Sequence, residues 1–128
     1  MQEQKIAVFS QKETEFIDLL IKTGTRRYVA ATLVCLSATP EISSREIERC
    51  ADLRQPEVSL AIKYLNGRGW VKSRELPAGR SGRPMRSFSL AVPFEEIVIT
   101  IEKEKRKEVN DRLIAIRKLR ESIRECIE

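Results

Sequence analysis

Residues 43–74 read SSREIERCADLRQPEVSLAIKYLNGRGWVKSR, and the fold turns on where this stretch stops and restarts its helices. Ser43 and Glu46 stand three apart, the spacing of a capping box. In that arrangement the serine accepts from the N3 amide and the glutamate reaches back to the cap amide. Ile42 and Ile47 flank the box as a hydrophobic staple. A short helix is expected to follow, with Ile47, Cys50 and Ala51 inward, stopping near Leu53. Gln55-Pro56 then opens another, because a proline at a helix start has no needed N–H to lose. Val58, Ala61, Ile62 and Leu65 supply the i, i+3, i+4, i+7 stripe, and Gly67 and Gly69 close it. The outcome is two helices joined by a tight turn.

Downstream the period changes from helical to alternating. Residues 70–76 (WVKSREL) and 85–92 (MRSFSLAV) read as two strands. In the second, Phe88, Leu90 and Val92 alternate with Ser87, Ser89 and Ala91, so the first three are expected inward. Between the strands lies PAGRSGRP, which its glycines and prolines keep from being helical. The strands and this segment predict a hairpin with a long, basic tip. From Lys63 to Arg86 seven basic residues face one acidic residue, Glu75, a net of +6. The whole chain carries +5, so everything else sums to −1. Arginines this close repel one another, and such a concentration of charge is the footprint of a polyanion-binding surface.

Upstream, Ser10 and Glu13 form a second capping box, opening a helix that buries Phe16, Leu19 and Leu20 and ends at Gly24. Thr25 is placed to cap a helix over about residues 26–38, apolar nearly all round and therefore central. KIAVF at residues 5–9 fits either a strand or an extra helical turn, so residues 1–10 are left open. Beyond Pro93 one charged helix is expected over about residues 95–127, supported by the i, i+4 pairs Glu102/Arg106 and Glu108/Arg112. It is polar throughout residues 103–108, then carries an apolar stripe of Val109, Leu113, Ile116, Leu119, Ile123 and Ile127. Near-heptad spacing makes this a coiled-coil arm for a homodimer; the other reading has it fold back on the first helix. The division is thus 1–93 for the compact domain and 94–128 for the dimerisation helix.

The 128 residues are 34% charged and 41% hydrophobic, which fits a globular domain with a modest core. There is no histidine, which removes the usual general base and the commonest metal ligand. No paired carboxylates, phosphate-cradling loop or nucleophile motif is present, so the chain reads as no enzyme, with no catalytic residues, metal or cofactor. Cys35, Cys50 and Cys126 have no C-x-x-C spacing and are read as unpaired thiols, in keeping with a cytoplasmic location. Cys35 and Cys50 lie on apolar faces as small hydrophobes. If the last helix pairs with its twin, two Cys126 thiols approach and can form a redox switch. The longest apolar stretch, around Tyr28 to Ala38, is about half of the ~20 residues that cross a bilayer, so no membrane contact is expected.

SSREIERCADLRQPEVSLAIKYLNGRGWVKSR followed by GRSGRP resembles the winged-helix transcription regulators of bacteria and archaea, of the ArsR, MarR and TrmB types. The resemblance covers roughly residues 14–92. It implies a mainly α fold with a small β-hairpin wing: a winged helix-turn-helix domain plus the long C-terminal helix. It also implies that residues 55–66 are the recognition helix and residues 77–86 the wing. The paired cysteines and histidines of metal-sensing ArsR members are absent, so a metal-sensor role is not expected.

A helix fits the major groove of double-stranded DNA, where each base pair shows its own donor and acceptor pattern. Gln55 suits adenine, Glu57 suits cytosine, Ser59 and Lys63 add polar contacts, and Leu60 can meet a thymine methyl. Arg45 and Arg54 are placed for phosphates. Arg80, Ser81, Arg83 and Arg86 are placed for phosphates or the minor groove. The expected function is a homodimeric, sequence-specific DNA-binding regulator of transcription. The competing reading is a winged-helix module that binds a protein within a larger assembly and not DNA.

Overall fold

A computed structural model of the chain describes residues 9–77 and 85–127. The chain divides into two compact units, Met1–Phe94 and Glu95–Glu128. Among the described residues, five helices and three short strands run in the order α1 (Gln11–Lys22), α2 (Arg27–Ala38), β1 (Ile42–Ser43), α3 (Ser44–Ala51), α4 (Gln55–Gly67), β2 (Val71–Leu76), β3 (Met85–Leu90) and α5 (Phe94–Ile127).

The capping boxes form as expected. Ser10 Oγ accepts from the Glu13 N–H at 3.1 Å, and Glu13 Oε1 accepts from the Ser10 N–H at 2.9 Å. At α3 the Ser43 N–H donates to Glu46 at 2.8 Å, and the Glu46 N–H donates to Ser43 Oγ at 3.2 Å. Gly24 closes α1 with φ 103°, in the left-handed region that a side chain disfavours. Two expectations fail here. Ile17 and Leu20 are buried, whereas Leu19 is exposed, so the inward face of α1 is turned toward Ile17 while keeping Leu20. The N-cap of α2 is Arg26 rather than Thr25, and no side chain caps it.

At the centre, α2 is buried continuously from Val29 to Leu36. Ile47 and Ala51 of α3, Val58, Ala61 and Leu65 of α4, Trp70, Val71 and Phe88 complete the core of the first unit. Phe16 and Phe94 add a tilted ring pair with centroids 5.3 Å apart. Cys35 of α2 and Cys50 of α3 are joined by a disulfide, with Cα atoms 6.2 Å apart. The expectation of unpaired thiols is therefore corrected. The two stand 15 positions apart in sequence, so no local motif announces the bond; the packing of α3 on α2 creates it.

The sheet is antiparallel with order β1-β3-β2. β1 is a third strand beyond the two-stranded hairpin expected, and it pairs Ile42 with Phe88 and Ser43 with Ser87. That makes β3 the middle strand and alters its burial. Ser87, expected outward, is buried and donates to Glu41 Oε2 at 3.1 Å, while Leu90 is only half-buried. The strand also ends at Leu90 rather than Val92. The hairpin tip expected between β2 and β3, with Arg80, Ser81 and Arg83, lies outside the described residues, as does KIAVF apart from Phe9.

In the second unit α5 runs unbroken through residues 103–108, about 50 Å in all at ~1.5 Å per residue. Arg106 pairs with Glu102 at 2.9 Å and Lys107 with Asp111 at 2.8 Å. Glu108 meets Lys105 at 3.4 Å, so the expected Glu108/Arg112 pair is not among the ion pairs of the described residues. Val109, Leu113, Ile116, Leu119, Ile123 and Ile127 are all between 52% and 78% exposed. Cys126 is a free, exposed thiol. Among the described residues no helix is long and apolar enough to cross a membrane.

Candidate nucleic-acid interface

Three residues connect α3 to α4. Asp52 takes the left-handed conformation (φ 54°, ψ 52°), which aspartate tolerates better than most side chains. Leu53 is buried and Arg54 caps α4. This turn aims α4 so that Val58, Ala61 and Leu65 enter the core while Gln55, Ser59, Leu60, Lys63 and Tyr64 remain exposed. Gln55, Ser59 and Lys63 follow at four-residue steps and share one ridge; Leu60 and Tyr64 form the next. Arg45, in the first turn of α3, and Arg54 are exposed as well.

Glu57 behaves differently from its expected role. It is half-buried, and its Oε1 accepts from the Arg54 N–H at 3.0 Å. A carboxylate that closes its own helix start has one oxygen less to offer a base. Tyr64, by contrast, is a surface residue that the expected site omits. Its hydroxyl accepts from Arg68 Nη1 at 3.2 Å. The Arg68 guanidinium lies 4.1 Å above the Trp70 ring, and Tyr64 meets Trp70 edge-on at 6.4 Å. The spacing of Leu60 and Tyr64, four apart on one helix, was the available signal.

The basic segment is partly neutralised by Glu41, upstream of it, and by Glu75 within it. Arg74 donates from Nε to Glu41 Oε2 and from Nη2 to Glu41 Oε1, the latter at 2.8 Å. That bond holds the Glu41 carboxyl below the usual carboxylate range, helped by Ser87, and raises the Arg74 guanidinium. Arg86 donates to Ser73 Oγ at 3.2 Å and lies 4.0 Å from Glu75. Exposed pairs of this kind are worth little in water. Exposed on these elements are the guanidinium groups of Arg74 and Arg86 and, on α4, a ridge of polar and apolar side chains.

No family model matches the chain, and no curated protein matches it in sequence. Solved structures are. TrmBL2, an archaeal chromatin protein with a novel mode of DNA binding, superposes with a TM-score of 0.64 at 17% identity. The match takes in 87% of this chain but only 40% of that one. The fold is a winged helix. A possible transcriptional regulator from Methanosarcina mazei Go1 shares the winged helix with a TM-score of 0.55 at 12% identity, over 78% of this chain and 82% of its own. The multiple antibiotic resistance repressor MarR does so at 0.52 and 14%, over 80% and 73%. The winged-helix neighbours are thus regulators of MarR and TrmB-like kinds, at identities that speak for architecture alone.

Proposed function

We propose that the protein is a DNA-binding transcription regulator that acts as a homodimer. The observation that carries this reading is the division of α4: one face buried in the core, the other presenting Gln55, Ser59, Leu60, Lys63 and Tyr64 to solvent. A helix so presented, followed in sequence by a basic hairpin, suits the major groove with the wing on the adjoining phosphates. Arg80, Ser81, Arg83 and Arg86 supply sequence-independent affinity there, and Gln55, Ser59 and Lys63 supply preference. The MarR and TrmB-like neighbours support this assignment. The exposed stripe of α5 supports a second copy as the partner, residues 1–93 binding DNA and residues 94–128 holding the dimer.

Selection of bound sites from random duplex DNA tests the whole reading. The expected product is a two-fold symmetric site whose half-sites lie about one helical turn apart. Recovery of no enriched sequence, with a heteromeric protein partner on gel filtration, favours the protein-interaction module instead. Arg83→Ala should weaken binding to every sequence and reduce the slope of log K against log salt by about one; an unchanged slope removes the wing from the interface.

A further inference from the structure

We infer that Cys35 and Cys50 form a reversible dithiol–disulfide site that sets how α3 is seated against α2. The disulfide does not lie sealed in the core. Both cysteines line an open cleft of about 410 Å³, together with Phe9, Ala38, Glu46 and Arg49. Cys35 is buried to 1% exposure, but Cys50 is half-buried on the cleft wall. The carboxylates of the cleft are already engaged: Glu13 by the Ser10 N–H, Glu46 by the Ser43 N–H and Glu41 by Arg74. An incoming thiolate therefore meets carboxylates whose charge is partly answered, beside the Arg49 guanidinium.

The reaction partner is a dithiol small enough to enter the cleft. One of its thiolates attacks Cys50 Sγ, the S–S bond breaks with its electron pair going to Cys35 Sγ, and that sulfur takes up a proton. The second thiol of the reductant then attacks the mixed disulfide and releases Cys50 as a thiol. Two electrons and two protons pass to the protein, and the reductant departs as its own disulfide. An oxidising dithiol–disulfide couple reverses the sequence.

The consequence follows from position. α3 has eight residues and is anchored by Ile47, Ala51 and its capping box. The bond ties it covalently to the central helix. Only Asp52, Leu53 and Arg54 separate α3 from α4, so a shift of α3 passes directly to the face presented by α4. The effect on DNA affinity rests on the proposed function; the effect on α3 does not.

A Cys126→Ser variant removes the third thiol and makes the test clean. In the folded, oxidised protein no thiol should react with an alkylating reagent. Dithiothreitol should expose two without denaturant, and diamide should close them again. Reduction should lower Tm by about 10–20 °C, as loss of a 15-residue cross-link in a small domain implies. Hydrogen exchange across residues 44–53 should quicken on the order of ten-fold. A Cys35→Ala/Cys50→Ala protein should match the reduced form and ignore dithiothreitol. Three results overturn the inference: two thiols that never pair under diamide, a bond that resists dithiothreitol until the protein unfolds, or exchange across α3 and α4 that is the same in both states. Where DNA is bound, its affinity should differ at least about five-fold between the two states. A protein that binds DNA in neither state defeats the regulator reading and leaves labelling and exchange to decide on the disulfide.

Discussion

α2 and α5 are both rich in apolar residues and reach opposite ends. α2 has twelve residues and buries eight in succession, Val29 to Leu36. α5 has thirty-four and buries Ile97 and Ile101. Its six-residue stripe from Val109 to Ile127 is left to solvent, although it is as regular as any in the chain. The difference shows that helical periodicity records the need for a partner and not where the partner is. α2 finds its partners within the first unit. α5 carries a face whose partner must come from a second chain if the dimer proposal is right. α4 combines both conditions, one side like α2 and the other like α5.

The contrast can be broken at its strongest point first. Leu33 is fully buried in α2, so Leu33→Ala should cost about 2–5 kcal/mol in urea unfolding. A loss below about 1 kcal/mol would mean that α2 is not the centre. On α5 the double change Leu113→Asp/Ile116→Asp should leave the unassociated chain's fold intact but weaken dimerisation at least about 100-fold, from lost apolar burial. Sedimentation equilibrium reads this, and an unaltered dimer would place the partner elsewhere. On the outward side of α4, Gln55→Ala should relax discrimination by about 1–3 kcal/mol at one base position while leaving Tm alone. Uniform weakening on all sequences would contradict base readout there.

The smallest effect belongs to the start of α3. Ser43→Ala should cost about 1 kcal/mol through the lost cap. The backbone hydrogen bond from Ser43 holds the Glu46 carboxyl below its ordinary value of 4.5. A carboxyl lowered on folding stabilises the fold above its unfolded pKa, and that contribution disappears as pH falls through the lowered folded value. Tm should therefore fall less between neutral pH and the acid range in Glu46→Gln than in the parent.

Much of this arrangement was legible because its signals are local. The two capping boxes, Pro56, Gly24 and the glycines after α4 each act within a few residues, and the helix boundaries followed them. The reading failed where a distant residue decides. Phe16, Ile17, Leu19 and Leu20 are all apolar, so either of two registers fits α1; only the packed core selects Ile17 over Leu19. Alternation puts Ser87 outward, because nothing in its strand announces β1, two residues long and over forty positions earlier. Arg74 looked like spare positive charge until Glu41, 33 residues away, met it. Glu57 suits a base by residue type, but its three-residue spacing from Arg54 is that of the capping boxes elsewhere in the chain, and the bond it makes is the capping one. The proposed interface is legible on α4 for the same reason that helices are: exposure there follows from a periodic pattern.

The stack of Arg68 on Trp70 has a practical consequence. Trp70 is the only tryptophan in the chain, shielded from water where α4 hands over to β2, with a cation 4.1 Å above its ring. Its fluorescence should report on that junction alone. A red shift marks loss of the shielded site, and a change in intensity without a shift marks movement of the guanidinium. Titration with a duplex can thus be followed optically at the junction of α4 and β2, with no dye and no engineered label.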